Sequence, residues 1–193
     1  MLNRLKGRLQ SAFAILAKPL VRARVDPNLI TVFGLVSGML AVCFYEIYPL
    51  MLLFVLLMAL SDGLDGYVAR ALNKATSFGA FLDSTIDRAE DMLLIYLLYL
   101  VGAVNVPELA AMSTGAFLVS YTRSRAETLG VHMAGVGLAE RAERLILTFV
   151  ALAVYPLSAE LAHAVCLILL LIIVVTVIQR ILHVYRTLAG GST

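Results

Sequence analysis

The chain has 193 residues, of which 61% are hydrophobic and only 15% are charged, and its formal net charge is +2. This composition excludes a soluble domain, because a soluble protein of this size carries more polar residues. The length allows about six helical spans of roughly 20 residues and leaves no room for a second domain. We therefore expect one all-α integral membrane domain over residues 1–193, with lipid around it and no nucleic-acid partner.

The first 24 residues are basic and amphipathic. They hold six of the fifteen Lys and Arg residues, and their large apolar side chains recur at helical spacing. This pattern predicts a helix that lies in the membrane interface and is attracted to anionic lipid. A signal peptide is the alternative, but Lys18 and Pro19 interrupt the apolar run and no small-residue cleavage site follows.

Six apolar segments follow within residues 25–187, and we predict that each of them is a transmembrane helix. The first opens at Asp26-Pro27-Asn28, where Asp26 or Asn28 can cap the helix and Pro27 fits its first turn. The approximate bounds of the six spans are 26–45, 50–72, 77–101, 109–127, 140–156 and 161–181, with Val106-Pro107-Glu108 in the turn before the fourth.

The distribution of cations predicts the orientation of these spans. The turns near Glu46, Glu108 and Glu160 contain no Lys or Arg, and all fifteen cations lie at the opposite ends of the spans. The positive-inside rule then places both termini and the 72–76 and 126–139 connections in the cytoplasm. We expect a multi-pass protein of the cell membrane whose acidic residues face the cytoplasm.

Four aspartates lie inside the second and third spans. Asp62 and Asp65 are three residues apart, and Asp83 and Asp87 are four apart, so each pair occupies one face of a helix. An ionised carboxylate near the bilayer centre costs about 2.5–3.5 kcal/mol even on the lenient insertion scale. Four of them need a compensating charge, and we expect it to come from divalent metal.

Small residues accompany both acidic pairs. Gly66 and Ala69 follow Asp62 on its own face, and Gly79 lies four residues before Asp83. They leave a hollow in which a ligand can approach the helix backbone. Mg²⁺ or Mn²⁺ prefers carboxylate oxygen and commonly shares its ligand shell with substrate phosphates. The pattern therefore favours a site for a metal-bound diphosphate.

The full spacing resembles the signature of the CDP-alcohol phosphatidyltransferase family without a departure. Eight fixed positions at about 7% each would match by chance on the order of once in 10⁹ starting points. The resemblance implies six transmembrane helices, an amphipathic N-terminal segment, an active site open to the cytoplasm and a homodimer. The residues that carry it are Asp62-x2-Asp65-Gly66-x2-Ala69-Arg70-x8-Gly79-x3-Asp83-x3-Asp87.

The resemblance also implies roles for these positions. Two divalent cations, Mg²⁺ or Mn²⁺, would be bound by the carboxylates of Asp62, Asp65 and Asp83. Asp87 would complete the site and act as general base on the attacking hydroxyl. The residues that would contact the CDP group are Gly66, Ala69, Arg70 and Gly79. Thr31, three residues after Asn28, is expected to line the nucleotide site.

Three further segments resemble the branch of the family that makes phosphatidylinositol phosphate or its archaeal ether-lipid counterpart. They read SYTRSRAE from Ser120, ERAER from Glu140, and Gln179-Arg180. In that branch the acceptor is inositol 1-phosphate, and the resemblance implies that its phosphate is held by Arg123, Arg144 and Arg180 with Ser120 nearby. Position 123 is commonly Lys in bacterial relatives and is Arg here. A planar guanidinium that can donate two parallel hydrogen bonds therefore replaces the compact charge of an ammonium group.

The predicted activity is metal-dependent transfer of a phosphatidyl-type group from a CDP-lipid, CDP-diacylglycerol or CDP-archaeol, to inositol 1-phosphate. CMP is released, and the reaction belongs to phospholipid biosynthesis. Glycerol 3-phosphate is the alternative acceptor. The sequence does not distinguish diacyl from ether-linked lipid, because lipid-facing positions need only be apolar.

These residues also allow other interpretations. A cation or proton transporter would distribute its acids along a path through the membrane, whereas these cluster at the cytoplasmic side. A membrane prenyltransferase uses similar metal chemistry but lacks the Gly-x-x-Ala-Arg continuation. The aspartates could also be structural partners of nearby cations, Arg144 a positive-inside anchor and Arg180 a snorkelling side chain at a helix end.

Overall fold

A computed structural model describes residues 14–190, and within this range the chain forms helices and no strands. The helices are α1 (Ala14–Arg22), α2 (Pro27–Cys43), α3 (Tyr48–Ala71), α4 (Ser77–Leu100), α5 (Val106–Thr128), α6 (Arg141–Val154) and α7 (Ala159–Gly190). Residues 1–13, which form much of the predicted interfacial helix, lie outside the described range. That helix therefore stays a prediction.

The helices agree with the predicted segments to within a few residues, except for the last one. Helix α7 continues to Gly190, nine residues beyond the predicted end at Ile181. No proline interrupts residues 182–190, and apolar side chains continue at helical spacing through Leu188. The cation at Arg180, which suggested a helix end, instead lies well inside this helix.

Two helix starts show the expected capping chemistry. Asp26 caps α2 by accepting a hydrogen bond from the Asn28 backbone N–H at 2.9 Å, and Pro27 occupies the first turn. Asn105 and Glu108 form a capping box at the start of α5, in which each side chain accepts from the other residue's backbone N–H. Of the two residues that the sequence offered as the cap of α2, Asp26 and Asn28, Asp26 is the one that caps it.

The chain divides into two compact units, residues up to Glu90 and residues from Asp91 onward, and helix α4 belongs to both. In the first unit, α2 packs closely on α3. Small buried residues of α2, among them Gly34, lie against α3, and a methyl group on Gly34 would meet Ser61 Cβ at 3.1 Å. Small residues at such a contact let the two helix backbones approach, as is common in membrane proteins.

Helix α1 joins this first unit through its apolar face. Ala17 is fully buried and packs with Ile30 of α2 and Val68 of α3, and α1 meets α2 at a bend of 120°. Partly buried apolar residues from all three helices surround this contact. The packing fixes α1 near the end of α3 that carries Arg70.

In the second unit, α5 and α6 both pack against α7. The loop that precedes α6 is held on α7 by Thr176, whose hydroxyl oxygen accepts from the Leu138 and Ala139 backbone N–H groups at 3.1 and 2.8 Å. Gly137 adopts a positive φ of 111° in this loop, which glycine does without steric cost. The loop therefore has a fixed position along α7.

Gly115 sets the distance between α5 and α7. A methyl group at this position would lie 2.4 Å from Ile173 Cγ2, well inside the 3.5–4.0 Å at which carbon atoms ordinarily meet. We expect Gly115→Ala to destabilise the protein by about 1–3 kcal/mol, as overpacking usually does. Thermal unfolding in detergent measures this loss.

Gly190→Ala is the matched control, because a methyl group at Gly190 meets nothing within 4 Å in the described part of the chain. The pair Gly115→Ala with Ile173→Ala should lose less stability than the sum of the two single losses, since the second change removes the clashing methyl. Equal melting temperatures for Gly115→Ala and the unmodified protein would show that Gly115 does not set this contact.

Two of the described helices, α3 and α7, are long and apolar enough to cross a membrane, and the bent pair α1 and α2 adds a third if it is one broken span. The other predicted spans do not meet this standard for physical reasons. Helix α6 has 14 residues, or about 21 Å, which is shorter than a hydrocarbon core of about 30 Å. Helix α4 carries five charged residues between Asp83 and Asp91.

Candidate active site

Three of the four predicted aspartates converge between α3 and α4. One carboxylate oxygen from each of Asp62, Asp83 and Asp87 lies within 4.8 Å of the other two. The spacing along each helix brings this about, since residues three or four apart share a face. Three carboxylates at this separation repel one another strongly unless a cation lies among them. Oxygen-only donors of this kind fit Mg²⁺ or Mn²⁺.

Asp65, the fourth predicted aspartate, lies beside this group and is held by the protein. Its carboxylate accepts a hydrogen bond from the Thr31 hydroxyl at 2.6 Å and another from the Gly66 backbone N–H. The side chain is buried, so these bonds fix its orientation in a region of low dielectric. Thr31 therefore has a second role beside the predicted one, because it positions Asp65.

A small cavity is lined by all four aspartates together with Thr31, Ile86 and Glu90. Glu90 is almost completely buried and was not predicted as a site residue. The available signal was its spacing, since it follows Asp87 by three residues on α4. Arg88 forms an ion pair with Asp87 at 3.5 Å, and 34% of the Arg88 side chain is exposed.

A larger cavity of about 190 Å³ opens next to the aspartates. Every residue that was predicted to contact the CDP group lines it, and so do two of the aspartates. Three further polar residues line this cavity near the start of α2 or α4, and the sequence did not single them out for this site. They are Asn28, Lys74 and Thr76.

Close contacts explain two of the small residues in this cavity. The guanidinium of Arg70 covers Gly66, where a methyl group would meet Arg70 Nη1 at 3.3 Å. A methyl group on Gly79 would meet the Thr76 hydroxyl oxygen at 3.1 Å and the Asn28 side-chain oxygen at 3.2 Å. Larger residues at either position would move polar side chains that form the cavity wall.

The second unit contains the residues that were predicted to hold the acceptor phosphate. Arg180 is 2% exposed, and its guanidinium donates to the carbonyl oxygens of Val136 and Val119. It thus ties the loop before α6 to α5. Arg144 is 5% exposed and donates to the Ala139 carbonyl at 2.9 Å.

Arg144 also forms an ion pair with Asp91, and both side chains are only 6% exposed. The sequence did not predict this pair, because the two residues are 53 positions apart. Arg144 was predicted to bind substrate, and the structure gives it a structural partner in addition. Its Nε remains buried without a hydrogen-bond partner among residues 14–190. This group is a donor that an incoming anion could use.

Arg123 lies on the exposed part of α5, where it forms an ion pair with Glu127 at 3.0 Å. Arg123 and Arg144 are close enough to Arg180 to repel its charge, while Glu127 and Glu140 attract it. Ser120 precedes Arg123 by one helical turn on the same face. Arg123 and Arg144 thus lie within electrostatic range of Arg180, together with two carboxylates that the sequence did not single out.

Comparison with known proteins gives a consistent result. Residues 24–189 match the family model described as CDP-alcohol phosphatidyltransferase. The archaetidylinositol phosphate synthase of Aeropyrum pernix is 36% identical over 187 residues, which cover 94% of this chain and 95% of that protein. These matches extend over both units.

Two crystal structures of Mycobacterium tuberculosis phosphatidylinositol phosphate synthase resemble this fold at 27% identity and a TM-score of 0.76. One has CDP-DAG bound, and the similarity covers 90% of this chain and 93% of that one. The other is a complex with manganese and citrate, and the similarity covers 90% and 88%. An acidic cluster in this chain and manganese in a relative both point to dependence on divalent metal.

Proposed function

Because the chain belongs to the CDP-alcohol phosphatidyltransferase family and is an enzyme, we propose that it transfers a phosphatidyl-type group from a CDP-lipid to inositol 1-phosphate and releases CMP. The observation that carries this proposal is the aspartate cluster beside the 190 Å³ cavity, which is lined by the family's nucleotide-contacting positions. The names of the relatives support the acceptor. The donor is CDP-diacylglycerol or CDP-archaeol.

We propose that Asp62, Asp65, Asp83 and Asp87 together hold two divalent cations, Mg²⁺ or Mn²⁺. Bound there, the cations would neutralise the diphosphate and stabilise charge on the departing CMP. The all-carboxylate donor set supports this assignment, as does the mutual approach of three of the carboxylates. Asp65 would use its bonds to Thr31 and Gly66 to keep its orientation as the site fills.

Asp87 is proposed as the general base. The acceptor hydroxyl oxygen forms a bond to the lipid-side phosphorus while its proton passes to the Asp87 carboxylate. The bond from that phosphorus to the oxygen bridging to the cytidine phosphate breaks, and its electron pair leaves with CMP. The ion pair with Arg88 at 3.5 Å would help to hold the Asp87 carboxylate in place before the transfer.

The nucleotide would occupy the 190 Å³ cavity and contact five positions: Thr31, Gly66, Ala69, Arg70 and Gly79. Arg70 is suited to the diphosphate, because its guanidinium is planar and donates in two parallel directions. The acceptor phosphate would be bound by Arg123, Arg144 and Arg180 with Ser120 nearby. The buried Nε of Arg144, which has no hydrogen-bond partner among the described residues, supports that assignment.

We further propose that the chain is a single domain of six transmembrane helices preceded by an amphipathic interfacial helix. Both termini and the active site would face the cytoplasm, and two copies would form a homodimer. The positive-inside pattern and the family resemblance support this arrangement. The fold itself supports a membrane location, since α3 and α7 are apolar enough to span.

The test is CMP release by purified protein in detergent with a CDP-lipid. We expect release to require both a divalent cation and inositol 1-phosphate, and to stop when the cation is chelated. Free inositol and serine should be inactive, because neither carries the phosphate that three arginines would bind. The measurement is the initial rate with each acceptor at equal concentration.

Glycerol 3-phosphate is the decisive comparison in this assay. A higher rate with glycerol 3-phosphate than with inositol 1-phosphate would overturn the acceptor assignment while leaving the transferase activity in place. No release with any phosphorylated acceptor would count against the transferase reaction itself. The same assay with CDP-diacylglycerol and CDP-archaeol in parallel identifies the lipid class of the donor.

A further inference from the structure

A cavity of about 460 Å³ lies between α7 and the loop that precedes α6, entirely within the second unit. Residues 135–138 of the loop form one wall, and Gln179, Leu182, His183 and Arg186 of α7 form the other. Positions three, four and seven residues after Gln179 lie on its side of the helix. No described residue lines both this cavity and the cavities beside the aspartates. Its volume is that of a small-molecule site, for which about 300–1,000 Å³ is usual.

The two walls of this cavity are held together by hydrogen bonds. The Arg180 guanidinium donates to the Val136 carbonyl oxygen at 3.0 Å. About one turn further along α7, His183 Nε2 lies 3.2 Å from the His132 carbonyl oxygen. A carbonyl oxygen only accepts hydrogen bonds, so Nε2 carries a proton and donates it. The loop therefore lies at a fixed distance from this part of α7.

Gln179 supplies the observation that points to a ligand. Its side-chain Oε1 atom is buried and has no hydrogen-bond partner among residues 14–190. Buried polar atoms are usually paired, because an unpaired one has lost its bonds to water without a replacement. The amide oxygen and nitrogen exchange places when the amide rotates, so the missing partner must suit either atom. A hydroxyl group does, because it both donates and accepts.

Arg186 gives the same cavity a positive charge. The residue is exposed and lies on the wall that α7 forms. Its guanidinium can donate two parallel hydrogen bonds, which matches two oxygens of one phosphate group. Among the described residues, those that line the cavity include no carboxylate, so the lining itself does not neutralise this charge. A phosphate group therefore complements this end of the cavity.

The order of these two groups along α7 favours a water-soluble ligand over a lipid. Residues 161–178 contain no Asp, Glu, Lys or Arg and span about 27 Å, close to a hydrocarbon core of about 30 Å. Gln179 directly follows this apolar stretch, and Arg186 lies about 10 Å further from it. In a phospholipid, the phosphate lies nearer the hydrocarbon than the hydroxyls of the head group do. The cavity has the opposite order, which suits a free molecule that enters with its hydroxyls first.

We propose that this cavity is a second binding site for a water-soluble phosphorylated polyol, whose phosphate contacts Arg186 while a hydroxyl bonds to the Gln179 amide. The ligand belongs to the same chemical class as the acceptor of the proposed reaction. The site goes beyond that reaction, because neither Gln179 nor Arg186 has a part in it. Val136 lines the cavity and accepts from Arg180, so the site adjoins one of the arginines proposed to bind the acceptor phosphate.

Equilibrium dialysis of radiolabelled inositol 1-phosphate against the purified full chain in detergent counts the sites, and a chelator without CDP-lipid prevents turnover. We expect one molecule in the cavity and one at the three arginines of the acceptor site. Arg186→Gln should weaken binding in the cavity about tenfold, and Arg123→Ala should remove the other molecule. Arg22→Gln is the matched control, because Arg22 is an exposed arginine of α1 and lines none of these cavities. It should keep both molecules.

Gln179→Leu tests the hydroxyl contact. It should weaken binding of inositol 1-phosphate in the cavity about tenfold and leave binding of sulfate there unchanged, because sulfate carries no hydroxyl at neutral pH. Without ligand, its melting temperature should equal that of the unmodified protein or exceed it, since a buried polar atom without a partner is removed. A lower melting temperature with unchanged binding would show that the amide serves the fold, and the proposal would fall.

Other outcomes of the dialysis would also overturn this site. A single bound molecule that is lost in Arg123→Ala and kept in Arg186→Gln would leave the proposed acceptor site in place and remove the second one. The reverse pattern would support the cavity site and count against the acceptor site. Displacement of the label from the cavity by phosphatidylglycerol, but not by glycerol 3-phosphate, would assign the cavity to a lipid head group and exclude the soluble ligand.

Discussion

Replacing Asp83 with asparagine should reduce the rate of CMP release by about a thousandfold or more. Asp83 offers an oxygen within 4.8 Å of oxygens from Asp62 and Asp87, and it lines both the acidic cavity and the nucleotide cavity. Asparagine has nearly the same shape but no negative charge, so the site would lose affinity for a divalent cation. Metal catalysis of this kind supplies several kcal/mol, and each 1.36 kcal/mol is tenfold in rate.

The readouts for Asp83→Asn are CMP release, binding of Mn²⁺ followed by electron paramagnetic resonance, and thermal unfolding in detergent. We expect weaker Mn²⁺ binding together with the lost activity. Without metal, the variant should unfold within a few degrees of the unmodified protein, because asparagine keeps the volume of the side chain. A lowered melting temperature would identify a structural role for this carboxylate.

Asp26→Asn is the matched control for this change. Asp26 caps α2 and lines neither cavity, and asparagine caps a helix about as well as aspartate does. The control should keep normal activity and normal Mn²⁺ binding. If Asp83→Asn behaved like the control, the assignment of this cluster to metal would be wrong.

The parts of this site that were predictable from sequence are those whose geometry is set within one helix. The spacing of Asp83 and Asp87 fixes their common face whatever surrounds them, and small residues such as Gly79 mark where the backbone must stay accessible. The helix segments were predictable for the same reason, since each follows from a continuous apolar run with polar ends. These features need no knowledge of which helix packs against which.

The sequence did not predict which side chains on different helices contact each other. Asp91 follows Asp87 by one turn, yet it pairs with Arg144, which is 53 residues away. Thr176 holds a loop 37 residues away through two backbone N–H groups. Threonine within an apolar run gives no sign of such a contact. The sequence contains many arginines and many carboxylates, so composition alone does not show which of them form ion pairs.

The second large expected effect is on stability, and it concerns the ion pair between Arg144 and Asp91. Arg144→Ala should destabilise the protein by about 3–5 kcal/mol, because it leaves a buried carboxylate without its cation. The backbone carbonyl of Ala139 would lose its donor at the same time. If Arg144 also binds the acceptor phosphate, the KM for inositol 1-phosphate should rise in the same variant. Thermal unfolding and steady-state kinetics measure the two effects separately.

The double variant Arg144→Ala with Asp91→Ala separates structure from substrate binding. Removing both charges eliminates the unpaired carboxylate, so much of the lost stability should return, whereas the KM for inositol 1-phosphate should remain high because the cation is still absent. Recovery of both stability and KM would show that Arg144 acts only through the fold. Recovery of neither would mean that the ion pair does not account for the stability of this region. The Arg123→Ala variant completes the comparison, because its exposed ion pair with Glu127 contributes little to stability and only its effect on KM should be large.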